Sequence, residues 1–90
     1  MRVELLQHEG CPLAPAALQL VRQCLIALGV TEPVLVRVGD YPSPTVLVDG
    51  TDVMGAAVGL SKARVCRLDV PTRERVLVAV RAALAVESHD

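Results

Sequence analysis

The sequence contains neither tryptophan nor phenylalanine, and Tyr41 is its only aromatic residue. Valine, leucine and alanine supply the apolar content instead, with 16 Val, 13 Leu and 11 Ala among 90 residues. A chain of this length is expected to bury roughly 60–65% of its unfolded surface. We therefore expect a single domain over residues 1–90, with an aliphatic core that does not need disulfide bonds.

An excess of charge of one sign is also lacking, since nine Lys and Arg residues face ten Asp and Glu residues. The sequence has no basic stripe interleaved with aromatic residues, which argues against a nucleic-acid partner. No apolar run approaches the length of about 18 residues that a membrane helix needs, and residues 1–9 are too short and polar for a signal peptide. We expect a cytoplasmic protein with no membrane partner.

Cysteine is scarce, and its number of three is odd. An odd count without a secretory signal argues against a disulfide framework. Cys24 shares an apolar helical stripe with Val21 and Leu28 and is expected to pack in the core. Cys11 precedes a predicted helix, where it either fills a turn or carries a thiolate stabilised by the helix dipole. Cys66 is either an apolar packing residue or a resolving cysteine for Cys11, which requires Cα atoms within about 7 Å.

Apolar periodicity predicts six elements in the order β-α-β-β-β-α, and Asp49-Gly50 is a strong hairpin signal between the last two strands. A parallel crossover followed by an antiparallel hairpin gives a four-stranded mixed sheet with helices packed on it. Residues 55–70 are expected to be mostly irregular. The predicted strands are 3–8, 33–38, 45–48 and 51–54, and the predicted helices are about 13–28 and 71–86.

Two small folds place a cysteine directly after the first strand. A ferredoxin-like metallochaperone ends in a strand and carries a second cysteine near the first, whereas this chain ends in a predicted helix and has Ala14 at that place. The thioredoxin-like core has the order β-α-β-(α)-β-β-α. The predicted α/β order fits the second fold better, without its usual second helix.

Four short motifs carry a family resemblance across most of the chain: Gly10-Cys11-Pro12, Ser43-Pro44-Thr45, the hairpin at 46–50, and Cys66-Arg67-Leu68. In this order and spacing the chain resembles small bacterial thioredoxin-like proteins, some of which are labelled alkylmercury lyase by association. The resemblance implies that Cys11 is the active-site thiol and that Pro44 is a cis-proline facing it. It also implies that Ser43, Pro44 and Thr45 bind an extended peptide or a glutathione-like ligand.

The chain departs from the family pattern in two ways. Ala14 replaces the second cysteine of a C-x-x-C motif, which excludes a local dithiol cycle. Between the second and third strands, residues 39–43 replace a helix, and five residues can cross the roughly 10 Å of two strand spacings. The missing helix would leave one sheet face, with Leu6, Leu35 and Leu47, to be covered by residues 55–66 or by a second copy in a homodimer.

The sequence therefore predicts a thiol protein that exchanges with glutathione or protein thiols through Cys11, with Cys66 as a further candidate catalytic residue and no cofactor. Such a protein could act as a thiol–disulfide oxidoreductase without a bound metal. One alternative is a redox-inactive binding or scaffold module. Another is a protein that binds mercury or another soft metal through Cys11 and Cys66.

Overall fold

The computed structural model describes residues 1–55 and 70–87 of the chain. The predicted order of elements is confirmed, and no helix in these residues is long and apolar enough to cross a membrane. Cys66 and most of the segment predicted to be irregular lie outside the described residues. The elements are β1 (Val3–Gln7), α1 (Ala14–Ala27), β2 (Val34–Val38), β3 (Thr45–Val48), β4 (Thr51–Asp52) and α2 (Arg73–Glu87).

The four strands form one mixed sheet in the order β2-β1-β3-β4. β1 runs parallel to β2 and antiparallel to β3, and β3 runs antiparallel to β4. The first strand therefore lies between the second and third, as the length of the connection between β2 and β3 permits. In this register Leu6 of β1 lies opposite Thr45 of β3.

The hairpin between β3 and β4 forms at the predicted place. Asp49 and Gly50 both have positive φ, at 50° and 83°, as a two-residue type I′ turn needs. The turn is also tied to the start of the chain. The Arg2 N–H donates to Asp49 Oδ1 at 2.7 Å, and the Asp49 N–H donates to the Arg2 carbonyl at 2.8 Å.

β4 is shorter than predicted, ending at Asp52 instead of Met54. Val53 still donates its N–H to the Val46 carbonyl at 3.0 Å. Beyond it, Asp52 Oδ1 accepts the Met54 N–H at 2.9 Å, and the Asp52 carbonyl accepts the Gly55 N–H at 3.0 Å. The aspartate therefore draws the backbone into a local turn that competes with the ladder and ends the strand.

Both helices pack on the same face of the sheet and form the expected aliphatic core. Cys24 is fully buried in this core, as predicted. Small and branched side chains fill the space between the two layers, where an aromatic ring would often lie. The core residues are Val3, Leu5, Val46, Val48 and Val53 below the helices, Ala17, Val21, Cys24 and Leu25 on α1, and Val76, Val80 and Ala83 on α2.

The second face of the sheet carries the residues that alternation predicted for it. Glu4 lies opposite both Leu35 and Leu47, so these side chains share this face with Leu6. Leu6 and Glu4 are buried within the single chain, whereas Leu35 is 42% exposed. Nearly all of segment 55–66, which was expected to cover this face, lies outside the described residues. Pairing of two chains through this face stays a prediction.

Candidate thiol site

Cys11 lies in the turn that connects β1 to α1. Its N–H donates to the His8 carbonyl at 3.3 Å, and its carbonyl accepts the Ala14 N–H at 3.4 Å. Gly10 has a φ of 81°, as the third residue of a type II β-turn requires. These contacts fix the backbone of Cys11 directly before the first turn of α1.

The start of α1 offers few amide donors to a thiolate. Leu13 is the N-cap and makes no side-chain capping bond, and Pro15 lies in the first turn. Neither Pro12 nor Pro15 has a backbone N–H. The first turn also contains no acidic side chain, so the positive end of the helix dipole is not offset there. The dipole is therefore one local feature that favours a thiolate at Cys11.

The Cys11 residue is only 7% exposed. Reactive cysteines usually occupy partly exposed, electropositive surroundings, because the attacking sulfur must meet its partner. Any reaction at the Cys11 sulfur would therefore need a narrow opening or a small local movement. This burial was not foreseen from the sequence.

The Ser43-Pro44-Thr45 segment precedes and begins β3, and the Ser43–Pro44 peptide bond is cis. The isomer that the family resemblance implies is thus confirmed. Ser43 and Thr45 are both fully buried. Thr45 Oγ1 donates to the Pro42 carbonyl at 2.7 Å, whereas Ser43 Oγ has no hydrogen-bond partner in the described part of the chain.

The sheet register brings this segment and the Cys11 turn to the same end of the sheet. Because Leu6 lies opposite Thr45, β1 ends where β3 begins. The connection from β2 joins them there, with the Gly39 N–H donating to the Gln7 carbonyl at 2.9 Å. The Cys11 turn and the Ser43-Pro44-Thr45 segment therefore lie at the same end of the sheet. Cys66 is expected to approach this end of the sheet, but it lies outside the described residues.

Tyr41 folds back within the short connection between β2 and β3. Its N–H donates to the Gly39 carbonyl at 3.0 Å. Its ring lies so close to Gly39 that a Cβ at that position would be 3.0 Å from Tyr41 Cε2. The one aromatic ring therefore fills the space over a glycine and keeps the connection compact.

Cys24 lies away from this end of the sheet, in the core between α1 and α2. Its Sγ is 3.9 Å from the Arg73 carbonyl oxygen. Burial raises the pKa of the Cys24 thiol, and the charge of Arg73 offsets part of that rise. The thiol therefore stays protonated, and the prediction of a packing role is confirmed.

Sequence reasoning missed a charged cluster on the second sheet face. The Glu4 side chain is 6% exposed and binds two guanidiniums, with Arg2 Nε 2.9 Å from Oε1 and Arg37 Nε 2.8 Å from Oε2. Both arginine side chains are more than half exposed, at 59% and 54%. An acid within the apolar run Val3-Glu4-Leu5-Leu6 is a local signal of such a pair. The partner Arg37 follows only from the parallel register.

The residues that the structure describes contain no group of three or more His, Cys, Asp or Glu side chains placed to hold a metal ion. The soft-metal hypothesis used Cys11 together with Cys66, and the second of these lies outside the described ranges. Comparison of the chain with family models, curated proteins and solved structures finds no match. The described residues form a small α/β structure with a four-stranded mixed sheet and two helices.

Proposed function

We propose that this chain is a thioredoxin-like thiol protein in which Cys11 exchanges with glutathione or with a protein disulfide in the cytoplasm. The observation that supports this function best is that two segments lie at the same end of the sheet. The Cys11 turn follows β1 and the Ser43-Pro44-Thr45 segment leads into β3, and these strand ends are adjacent because Leu6 lies opposite Thr45.

The exchange is a substitution at sulfur. Cys11 releases its proton to solvent, and the thiolate attacks one sulfur of a disulfide R–S–S–R′. A new S–S bond joins Cys11 to R, the old S–S bond breaks, and R′–S⁻ leaves and takes up a proton. Ala14 cannot supply a second attack. A thiol R″–SH from solution regenerates Cys11 by attacking the R sulfur, which releases the Cys11 thiolate and forms R–S–S–R″. Attack by Cys66 on the Cys11 sulfur instead releases R–SH and leaves a Cys11–Cys66 disulfide, which external thiols must then reduce.

In this proposal the Ser43-Pro44-Thr45 segment holds the partner through its backbone after a local movement uncovers it, because all three side chains are less than 2% exposed. Backbone groups that are not paired within the sheet can bind an extended peptide through strand-type hydrogen bonds.

A second candidate is a binding module that binds its partner at the same end of the sheet without thiol chemistry. The low exposure of Cys11, at 7%, favours this alternative. So does the loss of two amide donors at the start of α1 through Pro12 and Pro15. In such a module Cys11 is a small residue that fills the turn.

Intact-mass measurement after incubation with oxidised glutathione separates the two functions. Thiol exchange predicts one glutathione adduct that is lost in Cys11→Ser and kept in Cys24→Ala, which serves as the control for a buried thiol. Cys11 should also react with iodoacetamide faster than a cysteine peptide below about pH 8. If Cys11 forms no adduct and reacts no faster than the peptide, the exchange function is wrong. Binding of the same partner by wild type and Cys11→Ser would then support the module.

A further inference from the structure

The strand β2 forms one edge of the sheet, and it is exposed on both faces. Among residues 1–55 and 70–87 it pairs only with β1. Leu35 is 42% exposed on the second face, and Val36 and Val38 are 43% and 58% exposed on the helix side. Natural proteins usually protect such an edge with several charges, a proline or a bulge. β2 contains no proline and one charged residue, Arg37, whereas the opposite edge strand, β4, has only two residues.

The register identifies the backbone groups that β2 directs outwards. Successive residues of a strand direct their N–H and C=O groups to opposite sides. The Gly39 N–H bonds to the Gln7 carbonyl of β1, so Arg37 and Leu35 also direct their backbone groups to β1 in this parallel register. The residues whose N–H and C=O groups point away from the sheet are therefore Val34, Val36 and Val38.

A row of outward backbone donors and acceptors matches an extended strand. β2 is itself such a strand, and its sequence is compatible with a two-fold antiparallel pair centred at Val36. In this register Val36 lies opposite its own copy, and Val34 lies opposite Val38 of the second copy. Each of these pairs exchanges two hydrogen bonds, about six in all, so every outward backbone group of β2 is bonded.

The side chains fit the same register on both faces. On the helix side valine lies opposite valine in each pair, and β-branched cross-strand pairs stabilise a sheet. On the second face the stem of Arg37 lies opposite Leu35 of the second copy, while its guanidinium stays bound to Glu4. A two-fold axis at Arg37 would place two arginines directly opposite each other, which is destabilising. An axis at Leu35 would place Val38 opposite Glu32.

The end of α1 extends the apolar contact. Ile26 is 77% exposed, and together with Val34 it lines an open groove of about 360 Å³ at the start of β2. Val38 of the second copy lies opposite Val34 and therefore comes to this groove. Pairing thus covers two of the most exposed apolar side chains of the chain, Ile26 and Val38.

The charges at the ends of the pair do not determine it. If the register continues beyond β2, Glu32 comes near Asp40 of the second copy, and these are like charges. Arg22 lines the same groove as Glu32, and Met1 lines an adjacent one with it, so cations lie close to this contact. The backbone bonds and the valine pairs therefore supply the association.

We propose that β2 is the interface of a homodimer in which two copies pair their β2 strands antiparallel about Val36 and form one continuous sheet. The interface is isologous, and it is closed at two copies because each copy uses its open edge. It is distinct from the second sheet face, where Leu47 lies.

Sedimentation equilibrium between about 1 and 500 µM tests the proposal, since a small interface gives a micromolar dissociation constant. The wild type should shift from monomer to dimer across this range. Val36→Pro should weaken association at least about tenfold, because it removes an outward N–H at the axis and leaves the bonds between β1 and β2 in place. Val36→Thr is the matched control, because it keeps the N–H and the branched shape, and it should change association less than about threefold. Circular dichroism establishes that each variant is folded.

Exchange of charge at position 36 tests the two-fold axis without changing the backbone. Val36→Lys and Val36→Glu each place two like charges opposite each other, so each variant alone should remain monomeric. An equimolar mixture of the two should form a heterodimer. Val78→Lys and Val78→Glu are the controls, because Val78 is 58% exposed on α2, and both should associate like the wild type.

Amide hydrogen exchange, followed residue by residue by NMR, tests the alternation of backbone groups. The amides of Val36 and Val38 should exchange more slowly in a concentrated sample than in a dilute one. Those of Leu35 and Arg37 bond to β1 and should be equally slow in both.

Several results would overturn the proposal. The first is a wild type that remains monomeric throughout the range, and the second is an equal loss of association in Val36→Thr and Val36→Pro. A mixture of the Lys and Glu variants that stays monomeric contradicts the axis at Val36. Slow exchange of the Val36 amide at every concentration would mean that the chain itself covers this edge. Association that survives Val36→Pro but is lost in Leu47→Glu would assign the dimer to the second sheet face.

Discussion

Leu6 of β1 and Thr45 of β3 lie directly opposite each other in the sheet. This register places the turn that holds Cys11 at the same end of the sheet as Ser43 and Pro44, although about thirty residues separate them in the sequence. The candidate thiol site therefore depends on strand pairing as much as on its local motifs. Substitutions that loosen the turn or the start of β3 should therefore change the rate at which Cys11 reacts with iodoacetamide.

Replacement of Gly10 by alanine should destabilise the fold by about 1 kcal/mol, because residues with a Cβ are strained at positive φ. The φ of Gly10 is 81° and the space around it is open, so the effect comes from the backbone and not from a clash. Urea unfolding measures the change. Gly10→Asn should cost less, since asparagine tolerates this turn position. Equal costs for alanine and asparagine would contradict the explanation.

Ser43 and Thr45 should respond oppositely to loss of their hydroxyls. Ser43→Ala removes a buried group that has no hydrogen-bond partner in the described residues, so the free energy of unfolding should stay equal or rise by up to about 1 kcal/mol. Thr45→Val removes the donor to the Pro42 carbonyl and should lower it by about 1 kcal/mol. Thermal and urea unfolding measure both. A clear loss of stability in Ser43→Ala would show that its hydroxyl is bonded.

Glu4 and Arg37 should show a coupling energy of about 1–2 kcal/mol in a double-mutant cycle, because one partner of the ion pair is buried. The variants are Glu4→Gln, Arg37→Gln and the combination, each measured by urea unfolding. Arg37→Gln should be destabilising because it leaves the buried carboxylate with only the Arg2 partner. Additive effects of the two changes would mean that the contact contributes no stability.

Cys24 should make the stability of the fold depend on pH in the alkaline range. Burial raises the pKa of this thiol above its ordinary value. The unfolded chain therefore loses the proton first, and the stabilisation is complete below the unfolded pKa and is lost as pH rises through the folded pKa. The difference in unfolding free energy between wild type and Cys24→Ala should shrink as pH rises above about 9. A constant difference would contradict this linkage.

Features encoded by neighbouring residues were predicted correctly from the sequence. Asp49-Gly50 specifies its hairpin through turn geometry, and the observed β3 and β4 flank it. The stripe that contains Val21 and Cys24 specifies the buried side of α1, because helical spacing alone determines which residues share a side. The predicted end of β4 at Met54 was wrong, because the side chain of Asp52 competes with the strand ladder for the Met54 N–H.

Features that depend on distant residues were not visible in the sequence. The apolar strand β2 gave no sign that Val36 and Val38 would be 43% and 58% exposed, since its edge position follows from the order of all four strands. The pairing of Glu4 with Arg37 requires the parallel register of β1 and β2. The burial of Cys11 likewise depends on tertiary packing, which a three-residue motif does not describe.

The edge position of β2 also bears on how copies of this chain behave when crowded. Among the described residues β2 pairs only with β1, so its other side has no strand partner within them, and Val36 and Val38 are exposed in this strand. Such an edge can accept a strand from another molecule and start aggregation, which charged side chains within the strand oppose. Arg37 is the only charged residue in β2. The ion pair with Glu4 therefore also orients the one charge within β2 that opposes such edge-to-edge pairing.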